Sequence, residues 1–120
     1  VLLVQPDNVE GLNNRCWVNA ILGDLASAML DCDAALKLRP AYTDALDSRG
    51  FVKLKLGLPY SAILDYDAAL KLDERKASSL YGRGIAKQRT GGAIGGDADI
   101  AQAKAIDPNV ASEFANYGIR

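Results

Sequence analysis

The sequence predicts an all-α solenoid, a stack of helix–turn–helix units. Three observations carry this. The stretch Asp31-Cys32-Asp33-Ala34-Ala35-Leu36-Lys37-Leu38 returns as Asp65-Tyr66-Asp67-Ala68-Ala69-Leu70-Lys71-Leu72, with one change, at an offset of 34. A weaker third copy, Asp99-Ile100-Ala101-Gln102-Ala103-Lys104-Ala105-Ile106, follows after another 34. Gly23, Gly57 and Gly91 keep the same interval and split each unit in two. A fixed period of this size marks units that each bury an apolar face on the next.

Three full units emerge: Val9–Tyr42, Thr43–Lys76 and Ala77–Val110. Helices are expected near 10–22, 25–38, 44–56, 59–72, 78–90, 93–106 and 110–118. In the first unit Leu12, Cys16 and Ile21 fall on the early helix. Gly23 is the expected C-cap and Asp24 the next N-cap. Leu25, Ala28, Cys32, Ala35 and Leu36 then form an apolar stripe at helical spacing, and Pro40 ends it.

The second unit repeats the plan. Thr43 is the expected N-cap, Leu46, Gly50 and Leu54 follow at helical intervals, and Gly57 stops the helix. Pro59 stands where a first-turn proline is tolerated. In the third unit Leu80, Gly84 and Lys87 precede the stop at Gly91-Gly92, and Pro108 closes the second helix. That helix contains Gly95 and Gly96, each costing about 1 kcal/mol relative to alanine, so it is expected to be the least stable.

Residues 1–120 read as one domain, with repeats at about 9–42, 43–76 and 77–110. Residues 1–8, with Pro6, read as the end of a preceding repeat. Residues 111–120, containing Phe114, Tyr117 and Gly118, read as a capping helix in the register of a fourth unit. The chain lacks a starting Met, so it is expected to be an excised piece with further repeats before it.

Charge is nearly balanced at −1, from 14 basic and 15 acidic residues, with no basic run. No nucleic-acid footprint is therefore expected. No apolar stretch reaches the 18 or so residues a membrane span needs. Val1–Pro6 is too short and uncharged for a secretory signal. The compartment is left open, with a cytoplasmic location slightly favoured. There is no histidine, and Cys16 and Cys32 stand far apart without CxxC spacing, so zinc is not expected. The two cysteines read as free, buried, reduced thiols on facing helices of one unit, close enough that a bridge is within reach.

The pattern resembles the tetratricopeptide repeat family. Its early large residues correspond to Leu12, Leu46 and Leu80, and its small residues four places on to Cys16, Gly50 and Gly84. Its turn glycines correspond to Gly23, Gly57 and Gly91, and the small residues after them to Ala28, Ala62 and Gly96. Ala35, Ala69 and Ala103 match its later alanine. Pro40 and Pro108 match its terminal proline, where Glu74 departs. The family aromatic survives only as Tyr66, with Cys32 and Ile100 in its place elsewhere. The resemblance implies a right-handed α-α superhelix of three repeats with flanking half-units.

A second recurrence pairs Arg15, Arg49 and Arg83 with Asp31, Asp65 and Asp99 at a constant offset of 16. An anion site is one reading. A repeated ion pair joining the helices, within a unit or to an adjacent unit's aspartate, is the preferred one. Gly91-Gly92-Ala93-Ile94-Gly95-Gly96 lacks the Gly-Lys-Ser/Thr ending of a phosphate loop and follows no strand. No catalytic constellation is visible, so the chain reads as a non-enzyme, and no cofactor is expected.

The resemblance further implies that the first helices line a concave groove receiving a peptide or partner helix. The matching residues are Asn13, Asn14, Trp17, Asp47, Ser48, Phe51, Lys55, Tyr81, Ile85 and Arg89. Trp17, Phe51 and Ile85 would form an apolar stripe, either exposed in the groove or packed into the fold or against neighbouring repeats, with Lys55 and Arg89 as a basic edge and Asp47 as an acidic spot. That surface would suit apolar anchors beside an acidic residue. The family's chaperone-binding members share a basic clamp for a C-terminal carboxylate. Its places hold Asn13, Trp17, Ser48, Ser78 and Gly82 here, so that activity is not carried over. The expected function is non-catalytic protein–protein interaction, as a scaffold. The alternative is a structural spacer or self-assembling segment without a groove ligand, and self-association is left open.

Overall fold

The computed structural model describes residues 8–119. The expected end of a preceding repeat, residues 1–8, lies almost entirely outside them. Seven helices and no strand occur among the described residues: α1 Val9–Leu22, α2 Leu25–Leu38, α3 Thr43–Lys55, α4 Pro59–Leu72, α5 Ala77–Arg89, α6 Ala93–Ile106 and α7 Val110–Asn116. Each lies within two residues of its expected span.

The turn glycines act through backbone conformation. Gly23, Gly57 and Gly91 have φ of 89°, 78° and 89°, a region that residues with a Cβ enter at a penalty. Asp24 caps α2 by accepting from the Ser27 backbone N–H at 3.3 Å. Thr43 does not cap α3. The Tyr42 N–H donates to the Arg39 carbonyl at 3.1 Å, and this turn places Tyr42 at the N-cap, one residue early.

First helices stack on one another: α1 packs on α3, and α3 on α5. The backbones of α2, α4 and α6 stay apart, so the second helices fan outward. The result is a curved array with extents of 47 × 26 × 25 Å, whose inner wall is made by α1, α3 and α5.

Within each unit the two helices meet at a small residue. A Cβ on Gly50 would come within 2.9 Å of the Tyr66 ring, and one on Gly84 within 2.6 Å of Ile100 Cγ1. In the first unit the equivalent residues are Cys16 and Cys32, and they form a disulfide. The expectation of two free thiols is thereby corrected. The seam brings their Cα atoms to 5.4 Å, within disulfide reach, so the same close approach that elsewhere demands glycine here permits the bond.

The arginines form a ladder. Arg15 is bidentate to Asp31, Arg49 to Asp65 and Arg83 to Asp99, with N–O distances of 2.6–2.9 Å. Arg49 also reaches back to Asp33 and Arg83 to Asp67, each at 3.0 Å, which ties neighbouring units together. Lys53 and Lys87 add second cations to Asp65 and Asp99, where Asn19 serves Asp31. Burial works to raise the Asp99 carboxyl, but Arg83 and Lys87 overcome it and hold the pKa below the usual value. The anion-site reading fails because these guanidiniums are already committed to carboxylates.

Candidate functional site

The repeat period places equivalent residues of α1, α3 and α5 on the inner wall. Asn13, Asn14, Trp17, Asp47 and Ser48 line a single cavity of about 260 Å³. Asn13 is buried and accepts from Ser48 Oγ at 2.8 Å. Asn14 is exposed at the rim. The remaining expected residues lie elsewhere on the wall.

The apolar stripe is not open. Phe51 is 1% exposed, Ile85 is 6% and Tyr81 is 8%. Residues 110–119 cover this wall. Phe114 packs on Tyr81 and Phe51 with ring centroids 4.7 and 5.7 Å apart. Tyr117 meets Trp17 edge-on at 5.3 Å and Phe51 at 5.9 Å, while Trp17 and Phe51 stand 4.8 Å apart. Each such pair contributes about 0.5–1.5 kcal/mol beyond area burial.

The covering follows from local sequence. The register that gives each unit a ladder arginine gives this segment Tyr117, which has no charge to pair and a ring to bury. The helix stops at Asn116, Gly118 turns the chain with φ 93°, and Ile119 ends 3% exposed.

The two cations of the expected basic edge are hydrogen-bonded to backbone. Lys55 Nζ donates to the Ala20 carbonyl at 3.0 Å, and Arg89 Nη1 to the Leu54 carbonyl at 3.2 Å. Ala20 and Leu54 are equivalent positions near the ends of α1 and α3. A cation there adds a second donor to a carbonyl that already accepts from the turn glycine, Gly23 or Gly57, and meets the negative end of the helix dipole. These side chains tie to the preceding unit, and Lys55 Nζ stands 5.5 Å from the Phe51 ring centroid.

The cavity is acidic instead. Asp44, Asp47 and Glu113 line it, and no cation among the described residues does. Asp47 accepts from Ser79 Oγ at 2.6 Å and Ser78 Oγ at 3.1 Å. Burial pushes its carboxyl above the ordinary value, and the two hydroxyls and Lys76 offset this only in part. Asp44 pairs with Lys76 at 3.0 Å. Burial, and then Asp107, raise the Glu113 pKa.

Sequence reasoning missed Asp44 and Ser78 as groove residues. The signal was present: Asp44 lies one turn before Asp47, and Ser78 stands one full repeat after Asp44. Phe114 and Tyr117 stand in the repeat register, one period after Leu80 and Arg83, but the register does not tell that their rings fold back onto the inner wall. Among the described residues no cluster of His, Cys, Asp and Glu is arranged for a metal ion, and no helix is long and apolar enough to cross a membrane.

No protein-family model matches this sequence, and no curated protein matches it. Solved structures do match. The first TPR of Spaghetti (RPAP3), bound to the HSP90 peptide SRMEEVD, superposes with a TM-score of 0.80 at 15% identity, covering 98% of this chain and 96% of that one. The MamA RS-1 ArsTM double mutant gives 0.75 at 24% identity, over 95% and 71%. A tetratricopeptide repeat protein from Parabacteroides merdae gives 0.73 at 20% identity, over 97% of this chain and 45% of its own. The architecture of this chain is thus the tetratricopeptide-repeat fold, an all-α helical-repeat solenoid.

Proposed function

We propose that this chain is a non-catalytic protein-interaction module whose concave face holds a segment of a partner protein. One observation carries the reading. The inner wall already receives an aromatic-bearing segment, residues 110–119, against Trp17, Phe51 and Tyr81. A similar fold in Spaghetti is seen bound to a peptide. The acidic sequence SRMEEVD is not the ligand class proposed here, because the basic clamp positions hold Asn13, Trp17, Ser48, Ser78 and Gly82 and the cavity is itself acidic.

A second reading rests on the second helices. Leu30 and Leu64, equivalent by repeat, are 70% and 69% exposed, and Leu38 and Leu72 are also exposed. This ridge lies away from the groove cavity and supports an outer-face interface or self-assembly. A photo-crosslinking residue placed at Asn14 or at Leu64 separates the two. Groove binding requires partner capture from Asn14 and little from Leu64, and the reverse pattern moves the interface to the outer ridge.

A further inference from the structure

Residues 110–119 fit the groove well in shape and poorly in charge. Phe114 and Tyr117 fill the aromatic wall, yet Glu113, directly before Phe114, lines the same cavity as Asp44 and Asp47. Asp107 adds a further carboxylate beside Glu113. Of the cavity carboxylates, among the described residues, only Asp44 has a cationic partner in contact, Lys76, and Asp47 is served by hydroxyls. Lys55 and Arg89, the cations expected on this face, donate to helix-end carbonyls and do not line this cavity. An apolar wall beside an under-compensated acidic cavity is complementary to a ring with a cation next to it. A basic side chain there gains both ionic contact and the aromatic wall of Trp17.

We infer that the preferred occupant of the concave face is a partner segment in which a lysine or arginine immediately precedes an aromatic residue, with a second aromatic three positions on. Residues 113–117 are then a resident surrogate with the wrong charge at its first position. This rests on the groove reading above and specifies its ligand. The resident rings supply enough burial to cover the wall in the absence of a partner. Glu113 adds a third carboxylate to a cavity already lined by Asp44 and Asp47, so a segment with a basic residue at that position competes for the wall.

Trp17 is the sole tryptophan and lines the cavity, so its fluorescence reports occupancy directly. The test uses the full chain carrying Phe114→Ala and Tyr117→Ala, which removes the resident rings. Two synthetic peptides are titrated: residues 109–119 in the native sequence, and the same peptide with Glu113→Lys. The substituted peptide is expected to bind about three- to five-fold tighter, the size of one charge contact at an exposed position. Adding Asp44→Asn and Asp47→Asn to the protein should shrink the preference to about two-fold or less, which assigns it to those carboxylates rather than to Asp107. Equal affinity for the two peptides overturns the charge preference and leaves groove binding standing. Binding of neither, with the chain helical by circular dichroism, overturns the groove reading as well. If the double-alanine chain does not fold, Glu113→Lys in the otherwise native chain gives the answer. Its melting temperature should rise, and the rise should vanish with Asp44→Asn and Asp47→Asn. A fall overturns the inference.

Discussion

Cys16 is bonded to Cys32 at the seam position where Gly50 faces Tyr66 in the second unit and Gly84 faces Ile100 in the third. A covalent link thus replaces a small-against-large packing contact. The bond closes a short loop around the α1–α2 turn, and loops of this length contribute about 3 kcal/mol through the unfolded chain. Urea melts of native chain and of Cys16→Ala/Cys32→Ala should differ by about that amount. Denatured, unreduced protein should show no titratable thiol, and labelling of two thiols would reject the bond.

Adjacent glycines in α6 should respond with opposite sign. A Cβ on Gly95 meets only Lys87, with Cδ at 3.5 Å, an ordinary contact, so Gly95→Ala should stabilise by about 0.5–1 kcal/mol. A Cβ on Gly96 would stand 2.6 Å from the Gly84 carbonyl oxygen, a backbone atom that cannot step aside. Gly96→Ala should destabilise by about 1–3 kcal/mol. Thermal melts of the two variants check the split.

The Arg49–Asp65 pair couples a partly exposed guanidinium to a carboxylate whose side chain is 6% exposed. Asp65→Leu leaves Arg49 and Lys53 facing an apolar group, and a loss of about 3 kcal/mol is expected. Arg49→Met leaves Lys53 on the aspartate and should lose less. The double variant should lose less than the sum of the singles. Strict additivity would show that the ladder carries no coupling.

Asp47 carries a pH signature. Its folded pKa is raised above the ordinary 3.8. The native state therefore binds the Asp47 proton more tightly than the unfolded chain does. Its favourable contribution is full below the ordinary value and is lost as pH rises through the raised one. Asp47→Asn removes that loss, so its stability relative to the native chain should improve as pH rises from the ordinary value through the raised one. Measuring the difference between the two proteins cancels the other carboxylates. A pH-independent difference would contradict the burial of this group.

Tyr66 is fully buried, and its hydroxyl has no hydrogen-bond partner among the described residues. Burial holds its pKa well above the usual phenol value. Tyr66→Phe keeps the ring that Gly50 and Gly82 accommodate and removes the unpaired group. Stability should be unchanged or higher by about 1 kcal/mol, as read from denaturant midpoints.

The repeat frame was legible because equivalent positions recur at one constant interval, and the fixed offset between arginine and aspartate predicted the rungs of the ladder. The same offset also placed Cys16 opposite Cys32. Nothing in the residue pattern decides between two thiols and a bond, since that turns on the distance across one seam. The groove wall was legible by register, but its cover was not. Phe114, Tyr117 and Gly118 keep the period of Leu80, Arg83 and Gly84, and a fold-back depends on which rings find burial. Lys55 and Arg89 were placed on the correct helices, yet their long side chains turn toward carbonyls of the preceding unit. Periodicity fixes a Cα position and leaves four rotatable bonds free.

Arg49 and Arg83 each reach the same distance along the chain forward, to Asp65 and Asp99, and back, to Asp33 and Asp67. A whole unit inserted between them would find both partners in place. A unit one residue longer would rotate its arginine by about 100° around the helix and leave guanidinium and carboxylate on different faces. The charge ladder therefore acts as a length standard for the gene as well as for the fold. It tolerates duplication in complete units and penalises slippage by single codons.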